Sequence, residues 1–130
     1  MLTQKSSVLS LFETSASLNP KKVALISEGN KISFSELEAR SNQIANYLKL
    51  RRISTNIPIC FCLNQSIDKV VVMLSIWKSG GAYVSLDPLY PETRLTHILE
   101  ETNSPVLFTT KEFSEKFKFY KGEIIFIDQQ

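Results

Sequence analysis

Short apolar runs alternating with helix-periodic segments constrain this chain more than any other feature. Ile59–Leu63 is an apolar run bounded by Pro58 and Asn64, the pattern of a strand buried on both faces. Ala82–Leu86, also read as a buried strand, Val106–Thr109 and Ile124–Asp128 repeat the theme. Between them lie segments with helical spacing. Ser66–Lys78 places Val70, Met73, Leu74 and Trp77 on one face, and Gly80-Gly81 stops it, one glycine suiting the left-handed C′ position. Asp87-Pro88 ends the strand that follows. Pro91 then opens a helix at its first position, where a missing N–H costs nothing, with Leu95, Ile98 and Leu99 as its apolar stripe. A short helix is expected near Lys111–Phe117, with Phe113 and Phe117 packed at i, i+4. The order β-α-β-α-β-α-β requires βαβ crossovers. The fold class is therefore α/β: a partial doubly wound, mostly parallel sheet with flanking helices.

Upstream of this alternation a different pattern holds. Ser7–Ala16 has Val8, Leu11 and Phe12 on one helical face. Val23–Ser27 reads as a strand, Glu28–Lys31 as a tight turn in which Gly29 and Asn30 tolerate positive φ, and Ile32–Phe34 as the antiparallel return. This is the short N-terminal hairpin. A second helix follows, with Ser33 as N-cap and Glu36 completing a capping box. Leu37, Ile44 and Leu48 form its apolar stripe, and it ends near Leu50, before Arg51-Arg52, read as a solvated helix end.

Composition removes several classes of function. Net charge is +2, from fifteen Lys and Arg against thirteen Asp and Glu, which argues against a dedicated nucleic-acid binder. The longest apolar runs fall far short of the roughly 20 residues that cross a bilayer, and no secretory h-region is present, so a cytoplasmic protein is expected. Cys60 and Cys62 lie two apart; on a strand both face one way, which suits two reduced core thiols rather than a disulfide or zinc site. His97 sits beside the stripe of its helix as a surface residue. The aromatic and lysine interleaving of Lys111–Lys121 reads as an amphipathic helix rather than an RNA-stacking surface.

Three stretches, in order, carry a family resemblance. Leu11-Phe-Glu13 with Pro20-Lys-Lys-Val-Ala-Leu25 forms the lead-in. Ile32-Ser-Phe-Ser-Glu-Leu37, with Phe34, Glu36 and Leu37 as its motif residues, runs on through Leu48. Trp77-Lys-Ser-Gly-Gly-Ala-Tyr-Val-Ser-Leu-Asp-Pro88 and Leu89-Tyr-Pro-Glu-Thr-Arg94 supply Gly80, Gly81, Tyr83, Asp87, Pro88, Tyr90, Pro91 and Arg94. Together they resemble the first two core motifs of amino-acid adenylation domains of nonribosomal peptide synthetases, in the adenylate-forming, AMP-binding superfamily. Ser85 departs from that pattern, which usually has proline there.

The resemblance implies an N-terminal subregion of an AMP-dependent ligase over residues 1–130, ending before the phosphate-binding loop. Complete relatives use ATP and Mg²⁺; the ribose-binding aspartate, the glycine-rich phosphate loop and the catalytic lysine of the family have no counterpart here. No cofactor is expected for this chain alone and no residue is assigned as catalytic. The chain has four glycines, and Gly80-Gly81 ends a helix, whereas a phosphate loop precedes one. The motif residues are read as structural, with Asp87 shaping its turn and helping to cap the Pro91 helix, so that Asp87→Asn should lower stability. The expected function is a truncated or split portion of an amino-acid-activating ligase, inert alone. Two alternatives are a subunit completed by a separately encoded remainder, and a stand-alone binding or regulatory module. Expected partners are the rest of an adenylation domain or a synthetase module, with no nucleic acid and no membrane.

Overall fold

The computed structural model describes residues 13–53 and 55–128. Most of the helix expected over Ser7–Ala16 lies outside the described residues; within them, 13–18 are helical (α1). Strands β1 (Val23–Ser27) and β2 (Asn30–Ser33) pair antiparallel, Ser27 opposite Asn30. The turn is therefore the two-residue loop Glu28-Gly29, with φ of 50° and 79°. Asn30, expected to share the positive φ, instead takes an extended place in β2. Two positive φ values match the right-handed twist of a hairpin, and Glu28 accepts the left-handed conformation beside a glycine.

Helix α2 (Phe34–Leu50) begins as its capping signals require. Glu36 N donates to Ser33 Oγ and Ser33 N donates to Glu36 Oε1, both at 3.1 Å. Its buried positions are Leu37, Ser41, Ala45 and Leu48, with Ile44 half-buried. Ser41 and Ala45 are small, which lets α3 (Ile67–Ser79) approach closely. Lys78 on α3, its side chain only 7% exposed, donates to Ser41 Oγ at 2.8 Å and Asn42 Oδ1 at 2.9 Å, and pairs with Glu38. At the other end of the contact Arg40 bonds Asp68 at 2.7 Å. Arg51 lies exposed at the end of α2, as expected, and there reaches Glu123 at 2.9 Å and sets its guanidinium over the Tyr47 ring.

The main sheet contains β3 (Pro58–Phe61), β4 (Ala82–Ser85), β5 (Val106–Thr109) and β6 (Glu123–Phe126), all parallel, in the order β4-β3-β5-β6. From β3 the chain steps outward through α3 to β4. It then crosses back through α4 (Glu92–Thr102) to β5 on the other side of β3, and on through a 3-10 helix (Lys111–Phe117) to β6. Alternate strand residues divide the core accordingly. Ile59, Phe61 and Phe108 face Leu48, Val72 and Ile76 of α2 and α3; Cys60, Cys62 and Leu107 face Leu95, Leu99, Phe113 and Phe117 of α4 and the 3-10 helix. Both faces are covered, so the sheet is doubly wound. No helix among the described residues is long and apolar enough to cross a membrane.

Several further expectations need correction. The face of α3 turned to the core carries Val71, Val72, Ser75 and Ile76, not Val70, Met73, Leu74 and Trp77, which stay half-buried. Ser75 can sit inside because its hydroxyl donates to Val71 O at 2.6 Å. Strand β4 is an edge strand, as β6 is on the other side, rather than a buried one, and Ser85 at its end is exposed. Pro91 is the N-cap of α4, one position before the helix proper, and its carbonyl accepts from Arg94 N and Leu95 N. The segment Lys111–Phe117 winds as a 3-10 helix and still buries Phe113 and Phe117.

Candidate functional site

In a doubly wound sheet the loops after two neighbouring strands diverge to opposite faces at one point, which opens a crevice at the carboxyl ends of the strands. Here that point lies between β3 and β5. The loop after β3 turns into α3 on one face, and the residue after β5, Thr110, leads into the 3-10 helix on the other. Two adjoining recesses open there. One, of about 700 Å³, has Asn64, Gln65 and Lys69 on one wall, the Asp87–Tyr90 loop on another and Glu112 and Lys116 opposite. Its neighbour, of about 550 Å³, reaches Glu28, Ser66, Asp68 and Thr110.

Local structure commits most of these groups. Ser66 caps α3, accepting from Lys69 N at 3.2 Å and donating to Asn64 O at 3.0 Å. Asn64 Nδ2 donates to Glu112 Oε1 at 3.1 Å across the crevice, and Lys69 Nζ donates to Gln65 Oε1 at 3.0 Å. Thr109 Oγ1 donates to Cys62 O at 2.8 Å and so locks the ends of β3 and β5 together. Among the described residues, Thr110 Oγ1 is the buried side-chain oxygen left without a hydrogen-bond partner. The two thiols beneath are fully buried. Burial pushes Cys62 up to about 11, and burial raises Cys60 as well, against the bonding of Thr102 and Ser104.

The motif residues expected from the sequence do not converge on this crevice; they fall in three places. Phe34, Glu36 and Leu37 build the start of α2, Leu37 being buried there. Gly80 and Gly81 lie at the opposite, amino end of β4. Gly80 is the left-handed cap at φ 90°, and a Cβ on Gly81 would press on Ile59 Cδ1 at 3.0 Å and Ile57 O at 3.3 Å. Tyr83 stacks against Phe61 and Trp77 at 5.9 and 5.7 Å. Only the stretch from Asp87 to Tyr90 lines the crevice. Asp87 Oδ1 accepts from Leu89 N at 2.9 Å, so it shapes its turn, but α4 has no side-chain cap and Asp87 does not supply one. Because asparagine keeps that acceptor, the bond itself survives Asp87→Asn. Arg94 lies over the Tyr90 ring at 4.1 Å, and Pro88 and Pro91 bracket that turn. The crevice residues Asn64, Gln65, Thr110 and Glu112 escaped sequence reading. Their one signal is position immediately after β3 and β5, which becomes informative only once the strand order is known.

Chemically the crevice is a mixed polar surface, with Lys69 and Lys116 set among Asp87 and Glu112. A triphosphate with Mg²⁺ does not fit it. No glycine lines it, so the glycine-rich loop that usually cradles phosphates is not built there, and no group of three His, Cys, Asp or Glu among the described residues could hold a metal ion.

The fold and crevice define a doubly wound α/β unit, a four-stranded parallel sheet covered on both faces. Residues 12–126 match the family described as AMP-binding enzyme, and the chain belongs to that family. It is 33% identical over 120 residues to gramicidin S synthase 2 of Brevibacillus brevis, a match covering 92% of this chain and 3% of the synthase. It is 32% identical over 129 residues to tyrocidine synthase 1 of Brevibacillus parabrevis, covering 98% of this chain and 12% of that protein. The chain thus spans a small part of the relatives it matches. Among solved structures, the nonribosomal peptide synthetase FmoA3 in its AMPPNP-bound form superposes with a TM-score of 0.86 at 20% identity, over 93% of this chain and 13% of that one. The O-succinylbenzoate coenzyme A synthetase of Bacillus subtilis superposes at 0.79 with 24% identity, over 90% and 31%. These two likenesses establish a shared fold.

Proposed function

We propose that these 130 residues are the N-terminal portion of an amino-acid-activating, AMP-forming ligase of nonribosomal peptide synthesis, and that they work in the cytoplasm as framework rather than as the ATP-handling part. The observation that carries this reading is a mismatch. The chain aligns along nearly its whole length with peptide synthetases but covers only 3% and 12% of two of them, and among the described residues no glycine and no group of three His, Cys, Asp or Glu lines its crevice. In such a ligase the carboxylate of an amino acid attacks the α-phosphorus of ATP and pyrophosphate leaves. What the described residues do is hold the crevice wall: Thr109 ties β3 to β5, Asn64 bridges to Glu112, and the motif residues Gly80, Gly81, Tyr83, Asp87, Pro88, Tyr90, Pro91 and Arg94 fix both ends of β4.

Amino-acid-dependent exchange of labelled pyrophosphate into ATP tests the proposal. The chain alone, given ATP, Mg²⁺ and the twenty amino acids, should show no exchange, and joining it to the remainder of an adenylation domain should restore exchange for particular amino acids. Exchange by the 130 residues alone would overturn the framework reading, and no exchange from the joined protein would overturn the ligase reading.

A further inference from the structure

A further recess, of about 530 Å³, lies at the amino ends of β5 and β6, the opposite end of the sheet from the crevice. Its size is that of a small-molecule site. Buried Leu99 and Phe117 line it with apolar surface. On α4, Thr96, Glu100 and Asn103 line it from one helical face, and the turn from Phe119 to Gly122 completes the rim. Phe119 is 69% exposed, so part of its ring is left uncovered by the described residues. The last turn of α4, which meets the recess at Glu100 and Asn103, is charged against its own dipole. Helices α2 and α3 each carry a lysine in the last turn, Lys49 and Lys78; α4 has no basic residue there and has Glu100 and Glu101 instead. A helix leaves its final carbonyls without intrahelical partners, and that end favours a cation. Glu101 has a neighbour, His97 Nε2 at 3.0 Å. Glu100 forms no hydrogen bond or ion pair with any described residue, Lys121 on the same recess included.

We infer that this recess is a binding site for a small aromatic amine, with the ammonium against Glu100 and the carbonyl end of α4 and the ring against Phe119, Leu99 and Phe117. An anion would meet Glu100 and the negative end of the helix. A bare metal ion lacks ligands, because no three His, Cys, Asp or Glu converge among the described residues. A wholly apolar molecule would cover Glu100 without pairing it, which is unfavourable. An aromatic amine meets all of these demands at once. Its ring buries against the apolar lining, its N–H groups donate to carboxylate and carbonyl oxygens, and the open face of Phe119 attracts the same cation. Lys121 is the opposing charge on the rim, and its long flexible stem lets the ammonium turn to solvent. The inference is independent of the ligase reading, since the recess lies at the other end of the strands from the crevice.

The probe is 2-phenylethylamine, titrated into the 130-residue chain and followed by backbone amide NMR shifts. The shifts should saturate in the millimolar range and be confined to Thr96–Pro105 and Phe117–Gly122. Two controls need no variant: 3-phenylpropionate keeps the ring and reverses the charge, and butylamine keeps the charge and lacks the ring. Both should bind more weakly than the probe. Glu100→Gln and Phe119→Ala change exposed side chains and should melt like the parent, and each should weaken binding of 2-phenylethylamine about three- to tenfold. Lys121→Gln should leave binding equal or tighter. Shifts that do not saturate, or that fall outside these two segments, would overturn the inference. So would 3-phenylpropionate or butylamine binding as tightly as the probe, or an affinity unchanged in both Glu100→Gln and Phe119→Ala.

Discussion

Cys62 and Tyr120 hold their protons more firmly in this fold than free side chains do. Burial pushes the Cys62 thiol up to about 11, with Lys116 opposing, and burial, with Cys60 adding to it, takes the Tyr120 phenol up to about 12. Both groups are neutral when folded, whereas an unfolded chain ionises them near about 8.5 and 10. Above those values the native state binds more protons than the unfolded state, so stability falls as pH rises. Urea midpoints should therefore decline from pH 9 to 11, and Cys62→Ala should flatten the first part of that decline. An unchanged slope in the variant would assign the decline to other groups. Tyr120 also fixes its surroundings: its hydroxyl donates to Ser104 O at 2.7 Å and lies where a Cβ on Gly122 would sit, with Pro105 O 2.9 Å from that same point. Gly122→Ala should cost about 1–3 kcal/mol in a thermal melt through overpacking, and Tyr120→Phe in the same chain should recover part of it. Asp87 separates geometry from charge in a similar way. Asp87→Ala should lose about 0.5–1.5 kcal/mol with its turn bond, while Asp87→Asn should lose less, because the acceptor to Leu89 remains.

At the scale of single elements, local chemistry decided what could be read from the chain. The start of α2 was legible because a capping box is a four-residue event: Ser33 and Glu36 satisfy each other's backbone whatever packs behind them. Glu36 sits below its ordinary value chiefly through the Ser33 N–H, then the Ser33 hydroxyl. A depressed carboxylate stabilises the fold above its unfolded pKa, and that contribution is lost as pH falls through the lower folded value. Ser33→Ala should cost about 1 kcal/mol at neutral pH, and Glu36→Gln should remove this part of the acid dependence, both read from denaturation at pH 7 and pH 3. The end of α3 was legible for the same reason, since Gly80 supplies the left-handed cap. Its buried face was not. With Val70, Val71, Val72, Met73, Leu74 and Ile76 apolar in nearly every direction, periodicity offers two stripes of similar quality. The choice falls to Ser75, whose self-satisfied hydroxyl lets it go inside. The burial of β4 was hidden differently: Ala82–Ser85 is as apolar as a central strand, and its place at the edge is a fact about strand order.

Strand order is a property of the whole molecule, and with it goes the crevice. The alternation of elements predicts parallel pairing, but β3 could in principle have been followed outward by every later strand. The return of α4 across the sheet brings β5 beside β3, opens the crevice at Asn64 and Thr110, and splits the core in two. That split makes neighbouring residues of one strand report on opposite sides. Leu107 and Phe108 are 0% and 1% exposed on β5; Leu107 packs toward α4 and the 3-10 helix, Phe108 toward α2 and α3. Leu107→Ala leaves a cavity under α4 and should cost about 2–5 kcal/mol, whereas Phe108→Leu should cost about 0.5–3 kcal/mol. Hydrogen exchange under native conditions distinguishes them better than the magnitudes do. Leu107→Ala should speed exchange in Glu92–Thr102 before it affects Ile67–Ser79, and Phe108→Leu should do the opposite. Equal acceleration on both sides in both variants would mean that the two cores open as one cooperative unit, and that the sheet does not insulate α3 from α4.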